Sequence, residues 1–291
     1  MGWTAWILLS AVFLALYDIA KKASVKNNAV LPVLLCSTTF GCLAFLAGLG
    51  LSGGLSTALA RTDSLVVMLA FAKAAVVAVS WIFTFCALRT LPITIATPIR
   101  ASAPALVFLM ALFMYGEVPS LVQAVGMVAV FAGYLMFSWA GRHEGIDFFR
   151  NRAVWCAIAG AFFSALSAIL DKYVFQVAAV PIESTQLFFQ IGLVFVYAFI
   201  LFAQRSLGLV HDRFEWRWTI PFVGILLAVA DWFYFHGLAM PETQISIVSL
   251  MRRFSVAITF VLGAVFFKET NLPRKALALA LILAGIVLLC R

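Results

Sequence analysis

Residues 93–117 read ITIATPIRASAPALVFLMALFMYGE, and residues 245–269 read ISIVSLMRRFSVAITFVLGAVFFKE. The two stretches align without a gap at an offset of 152, with six of 25 positions identical. Apolar residues coincide by chance in any two such runs. A rare arginine (Arg100 with Arg252) and a rare glutamate (Glu117 with Glu269) in register do not. Thr94 and Thr97 meet Ser246 and Ser249, and the same offset carries Ala132-Gly133 onto Ala284-Gly285. Trp81 falls within one residue of Trp232. The chain is an internal duplication.

Working outward, the composition fixes the solvent. Of 291 residues, 65% are hydrophobic and 11% charged, with a mean hydropathy of +1.09. A soluble domain carries about a quarter charged residues. The apolar residues come in continuous runs of about 20, the length of a helix crossing a bilayer. Strands are not indicated, because the runs do not alternate. The net charge of +8 is gathered in short connections, which suits the positive-inside rule better than nucleic acid. All five cysteines (Cys36, Cys42, Cys86, Cys156, Cys290) lie in apolar runs without metal or disulfide spacing and read as packing residues. With no basic n-region and no small-residue cleavage site, the run from Trp3 reads as a retained first span.

Runs and breakers place ten spans near 3–23, 29–50, 64–89, 93–115, 119–139, 153–174, 183–204, 218–239, 243–267 and 273–290. Pro92, Pro119, Pro181, Pro241 and Pro273 supply stops and starts. The expected fold is an all-α membrane protein of ten helices in two five-helix repeats, residues 1–140 and 153–291, joined by a polar connection at 141–152. An odd number of crossings forces the halves into opposite orientation, an inverted repeat with its interface at the midplane. Placing both termini outside collects most cations inside, among them Lys21, Lys22, Lys26, Arg89, Arg142, Arg150, Arg152, Arg205, Arg217 and Lys275, and leaves little outside beyond Arg61 and Arg291.

Ten spans in two halves, each with an apolar fourth helix ending in Gly116-Glu117 or Lys268-Glu269 and a glycine-bearing fifth, resemble the drug/metabolite transporter superfamily, and within it the EamA-type transporters. The resemblance covers essentially the whole chain. It implies a bacterial inner-membrane carrier working by alternating access, with its site between the halves, lined by spans 1, 3, 4, 6, 8 and 9. It fixes no substrate. The basic pair Arg252-Arg253 is similar to the ninth-helix cations that the superfamily's sugar-phosphate/phosphate exchangers place on the substrate phosphate.

The polar residues inside the spans carry the functional reading. Arg252 and Arg253 stand in a run from Ile245 to Phe267 that holds no acid. Nine residues of helix rise about 13 Å, so the pair lies well inside a hydrocarbon slab of roughly 30 Å. Deep cations are Lys73, Arg100, Arg252 and Arg253, against one comparably deep acid, Asp231. A buried charge must be answered by an acid, by water or by an anion. Either these residues form structural ion pairs, or spare guanidinium donors take a phosphate or carboxylate in a bidentate fork. Helical spacing puts Ser249 and Arg252 on one stripe, Lys73, Ser80 and Thr84 on another, and Asp231 with Tyr234 on a third. Lys73 and Asp231 either pair with each other or meet substrate. Tyr17 and Asp18 lie where the first span approaches the cavity, unless Asp18 pairs with Lys21 or Lys22. Trp81, Trp232 and Tyr234 are the aromatics expected to line the site. His236 reads as a core histidine or a proton-coupling group, and Glu117 and Glu269 as helix-terminal caps.

The leading expectation is a secondary carrier for a small anionic or zwitterionic metabolite. Alternatives are a flippase for a phosphate-headed lipid and an exporter of amino acids or cationic compounds. There is no phosphate-cradling loop, no His-Glu-x-x-His and no Gly-x-Ser-x-Gly, so no enzyme activity and no cofactor are expected. Partners are a small-molecule or lipid-head substrate, membrane lipid, a coupled proton or counter-substrate, and a second copy in a homodimer, with no role for nucleic acid.

Overall fold

The computed structural model describes residues 3–101, 103, 106, 120–142, 150–174, 178, 180–208, 213–238, 252, 254–268 and 272–289. These form eleven helical segments: α1 (Trp3–Val25), α2 (Val30–Leu51), α3 (Gly54–Ala60), α4 (Ser64–Thr90), α5 (Ile93–Ala101), α6 (Leu121–Arg142), α7 (Arg152–Lys172), α8 (Ile182–Ser206), α9 (Thr219–Leu238), α10 (Phe254–Phe267) and α11 (Leu272–Leu289). The expected spans are all represented. The seven-residue α3 is additional, inside a stretch read as a connection. The spans expected at 93–115 and 243–267 are described as helix only over their first and last parts, α5 and α10.

Local signals explain the ends. Asp63 accepts from the Val66 amide at 2.8 Å and Asn151 from the Ala153 amide at 2.8 Å, capping α4 and α7. At the other end of α4, Lys22 donates to the carbonyls of Leu88 and Leu91 at 2.6 and 2.5 Å. A lysine there answers both the unpaired carbonyls and the negative end of the helix dipole. Arg217 does the same for α1 through Ala23 and Lys26.

Four helical stretches (Thr4–Val25, Val30–Leu51, Ser64–Thr90, Ile182–Ser206) are long and apolar enough to cross a membrane. Helix α8 shows which solvent it meets. Leu193, Tyr197 and Leu201 face inward and are buried, while Phe195, Phe199 and Phe202 are 63%, 72% and 71% exposed. Three phenylalanines on one outward stripe would be an aggregation surface in water and are an ordinary face in lipid. The chain is a multi-pass membrane protein.

Packing follows the duplication. α1 lies along α9 and α4 along α7; α2 packs on α9 and α4 on α8; α1 meets α10 and α5 meets α7; α2 meets α8, α5 meets α10, and α6 meets α11. Exchanging α1 with α7, α2 with α8, α4 with α9, α5 with α10 and α6 with α11 turns this set into itself. The alignment-matched Gly133 and Gly285 both sit at the α6–α11 crossing. A Cβ on Gly133 would lie 2.5 Å from Ile282 Cγ1, and one on Gly285 2.7 Å from the Gly126 carbonyl. The tightest crossing joins α2 and α9, where a Cβ on Gly224 would stand 1.9 Å from the Ser37 carbonyl. The helices approach backbone to backbone, as membrane helices do where small residues allow it.

Candidate functional site

The sequence expects its site where the polar stripes of the third, eighth and ninth spans converge, and the structure brings three of those residues together. Arg252, two residues before α10, donates from an Nη to Asp231 Oδ1 of α9 at 2.8 Å. Its guanidinium carbon lies 3.9 Å from the centroid of the Tyr234 ring, also on α9. The pair is partly open, with side chains 25% and 17% exposed. The Nε of Arg252 is buried and has no hydrogen-bond partner among the described residues. One guanidinium therefore combines an ion pair, an aromatic platform and an unused donor. Ser255 Oγ fixes the backbone beneath it by donating to the Arg252 carbonyl at 2.8 Å.

This corrects one expectation. Asp231 makes its ion pair with Arg252 rather than with Lys73. Lys73, 5% exposed on α4, points its ammonium at the ring of Phe189 on α8, 4.7 Å from the centroid. The rest of its stripe is a helix contact: Ser80 Oγ donates to the Gly160 carbonyl of α7 at 2.8 Å, and Thr84 Oγ1 stands 2.6 Å from where a Gly160 Cβ would be. The surplus of cations shrinks accordingly, because the one deep acid answers Arg252.

A second ion pair lies on α1. Lys21 Nζ is 2.6 Å from Asp18 Oδ1, with both side chains 1% exposed. The same ammonium is 4.4 Å from the Tyr17 ring centroid and 5.7 Å from that of Phe85. Asp18 thus takes the i+3 lysine, and Lys21 and Lys22 sit inside the bundle, not in the loop that the charge-bias argument assigned them.

A narrow cleft lies within the bundle. It is lined by Tyr17 of α1, Ser37, Thr38 and Gly41 of α2, Trp81 and Phe85 of α4, Gln190 of α8, and Val223, Gly224 and Leu227 of α9. Leu227, on its wall, lies one turn before Asp231 on α9. Tyr17 and Trp81, both expected at the site, line this cleft. Sequence reading passed over Thr38 and Gln190, although the 152-residue offset that pairs Arg100 with Arg252 also pairs Thr38 with Gln190.

Trp232 is placed elsewhere. It is 44% exposed and packs edge-on against Trp6 at 5.5 Å, with the His236 ring 4.2 Å away. His236 is exposed, its Nδ1 2.9 Å from the Trp232 carbonyl, so it is not the core histidine of the sequence reading. Trp6, Trp232 and His236 form one aromatic cluster where α1 lies along α9. Arg253, Ser249, Glu117 and Glu269, and the side chain of Arg100, lie outside the described residues. Among the described residues no cluster of His, Cys, Asp and Glu has metal-binding geometry.

Comparison with known proteins agrees with this architecture. The chain is similar to the uncharacterized transporter YxxF of Bacillus subtilis (strain 168), at 23% identity over 211 residues, 72% of this chain and 65% of that protein. The chain thus matches somewhat less than two thirds of that relative's length. A solved crystal structure superposes with a TM-score of 0.66 over 98% of this chain and 95% of the other, at 18% identity, a likeness of fold. The EamA-like transporter family matches twice, over residues 1–139 and again over 151–291. A duplicated helical membrane bundle whose two halves each carry the family's pattern belongs to the EamA-like transporter family.

Proposed function

We propose that this protein is a secondary carrier of the bacterial cytoplasmic membrane that moves a small carboxylate-bearing zwitterion by alternating access. The observation that carries the reading is the partly open Arg252–Asp231 pair on the Tyr234 ring, with the Arg252 Nε unsatisfied. A substrate holding a carboxylate and an ammonium a few ångströms apart matches it. The carboxylate takes the guanidinium fork, including the idle Nε, while the ammonium takes the freed Asp231 carboxylate. One internal ion pair is exchanged for two pairs to the ligand, and the ligand brings no net charge of its own. A simple anion answers only Arg252 and a simple cation only Asp231, whereas a zwitterion answers both.

The two halves, residues 1–140 and 153–291, act as the rocking units in this reading. Support comes from the packing set that survives their exchange, with α2 against α8, α5 against α10 and α6 against α11 as the contacts between partners. The chain carries no nucleotide-binding motif, so the driving force assigned here is a coupled proton, a counter-substrate or the substrate's own gradient.

The test is ligand-induced stabilisation of the purified protein by amino acids, by decarboxylated amines and by carboxylic or phosphorylated anions. Stabilisation follows RT ln(1 + [L]/Kd), so weak ligands register at high concentration. The zwitterions alone are expected to raise the melting temperature. Stabilisation by the amines or the anions and not by the zwitterions contradicts the proposal.

A further inference from the structure

We infer that the two ends of the bundle are unequal gates. The end at the α1–α2 turn is a hydrogen-bonded latch centred on Asn28, and its repeat counterpart at the α7–α8 turn is an apolar contact that opens first. This rests on the alternating-access part of the proposed function, and on neither the substrate nor the Arg252–Asp231 pair.

The latch joins one half to the other. The α1–α2 turn belongs to the first half, and the strap at 213–218 leading into α9 belongs to the second. Asn28, 1% exposed, clamps one strap residue with both arms of its amide. Its Nδ2 donates to the Glu215 carbonyl at 2.7 Å, and its Oδ1 accepts from the Glu215 amide at 2.9 Å. Arg217 reaches back from the strap and donates to the Ala23 and Lys26 carbonyls at 2.8 and 2.7 Å. Ser24 Oγ donates to Thr219 Oγ1 at 2.7 Å. Among the described residues, five hydrogen bonds thus cross between the halves at one turn.

The duplication supplies a comparison within one chain. The offset of 152 places Val180 at Asn28, Leu65 at Arg217, Val67 at Thr219 and Asp63 at Glu215. Val180 is buried with Val66 and Val174 in a small cluster of its own, with Leu69 and Ala178 packed against it. Leu65 is 42% exposed, and Asp63 turns back on its own helix to cap α4. Among the described residues no hydrogen bond joins 61–69 to 173–181; Ser184 Oγ donates instead to the Ala58 carbonyl of α3 at 2.7 Å.

Repeat-equivalent places are therefore closed by directional bonds at one end and by side-chain contact at the other. A hydrogen bond holds at one separation and orientation and is lost within about an ångström. Apolar side chains slide past one another, and lipid tails replace their contacts at little cost. The latched end switches between two states; the valine end yields gradually.

The experiment measures both ends of the full-length protein in lipid nanodiscs, as distances between spin labels on a background with the native cysteines replaced. One label pair, Lys26→Cys with Arg213→Cys, spans the latch, and the other, Ser64→Cys with Tyr173→Cys, spans the valine end; all four side chains are exposed. With native Asn28, the latch is expected to give one narrow distance and the valine end a broad or two-component distribution. Asn28→Val, which installs the other repeat's residue, is expected to raise the separated fraction across the latch about tenfold, as the loss of two hydrogen bonds implies. Thr219→Val, which removes one bond, supplies the comparison with a rise of about threefold if Asn28→Val does not fold. Equal distributions at the two ends overturn the unequal gates and leave alternating access standing. So does a latch distance unmoved in both variants while the valine end separates. No separation at either end in any variant contradicts both.

Discussion

Among the described residues, Asp18–Lys21 and Asp231–Arg252 are carboxylate–cation pairs of similar length within the helices, and their surroundings make them different objects. Asp18–Lys21 is local, three residues apart on α1, 2.6 Å long, and 1% exposed on both sides. Asp231–Arg252 joins positions 21 residues apart, measures 2.8 Å, and is 17% and 25% exposed. The first has its ammonium closed in by two aromatic rings. The second keeps one face open and one guanidinium donor unspent. Length does not separate a structural pair from a binding one. Access and unused valence do.

Breaking the closed pair gives the largest expected effect. Asp18→Asn or Lys21→Met strands a buried charge and is expected to destabilise the fold by about 3–5 kcal/mol, read by denaturation in detergent. Replacing both together by apolar residues of similar size, Asp18→Leu with Lys21→Met, is expected to recover most of that loss. A double variant no better than either single one would mean that Asp18 or Lys21 has a task beyond answering the other.

Next in size is Arg252→Lys. The charge survives but the fork does not, and transport is expected to fall by about ten- to a hundredfold with stability nearly unchanged. Full activity would show that a point charge suffices and would remove the bidentate geometry from the account. Smaller again is Tyr234→Leu, which takes away the ring beneath the guanidinium. A cation–π contact of about 1–2 kcal/mol corresponds to a roughly tenfold loss of affinity. An unchanged Kd would make the ring a bystander. The smallest effect is expected at Ser10, whose hydroxyl ties α1 to the Ala230 carbonyl at 2.7 Å, one residue from Asp231. Ser10→Ala should cost about 1 kcal/mol of stability and leave transport alone. A transport defect there would mean that the open pair is positioned through α1.

Much of this was legible in the residues. The proline stops and the 20-residue apolar runs set the spans, because a helix crossing lipid must be long, apolar and internally hydrogen-bonded. That Asp18 pairs with Lys21 or Lys22 followed from helical spacing, and the structure selects Lys21. Arg252 stood out because no acid accompanies it from Ile245 to Phe267. What spacing does not carry is the rotation of one helix against another. The partner of Asp231 depends on how α9 faces the start of α10, so a stripe shared by Lys73, Ser80 and Thr84 looked like cavity lining when Ser80 and Thr84 in fact grip Gly160 of α7. Gln190 was missed for a different reason. A glutamine carries no charge to demand an explanation, and only its place in the cleft wall makes it notable.

The central claim is that the Asp231–Arg252 pair serves a ligand while the Asp18–Lys21 pair serves the fold. Its most direct test is one variant at each, Arg252→Gln and Lys21→Gln, scored for melting temperature and for substrate counterflow in proteoliposomes. Arg252→Gln is expected to melt within about 4 °C of wild type, as losing a half-open pair worth about 1 kcal/mol implies, and to transport nothing. Lys21→Gln is expected to lose its stability first, with residual transport tracking the folded fraction. An Arg252→Gln protein that transports at the wild-type rate, or that fails only in proportion to its own unfolding, would contradict the account.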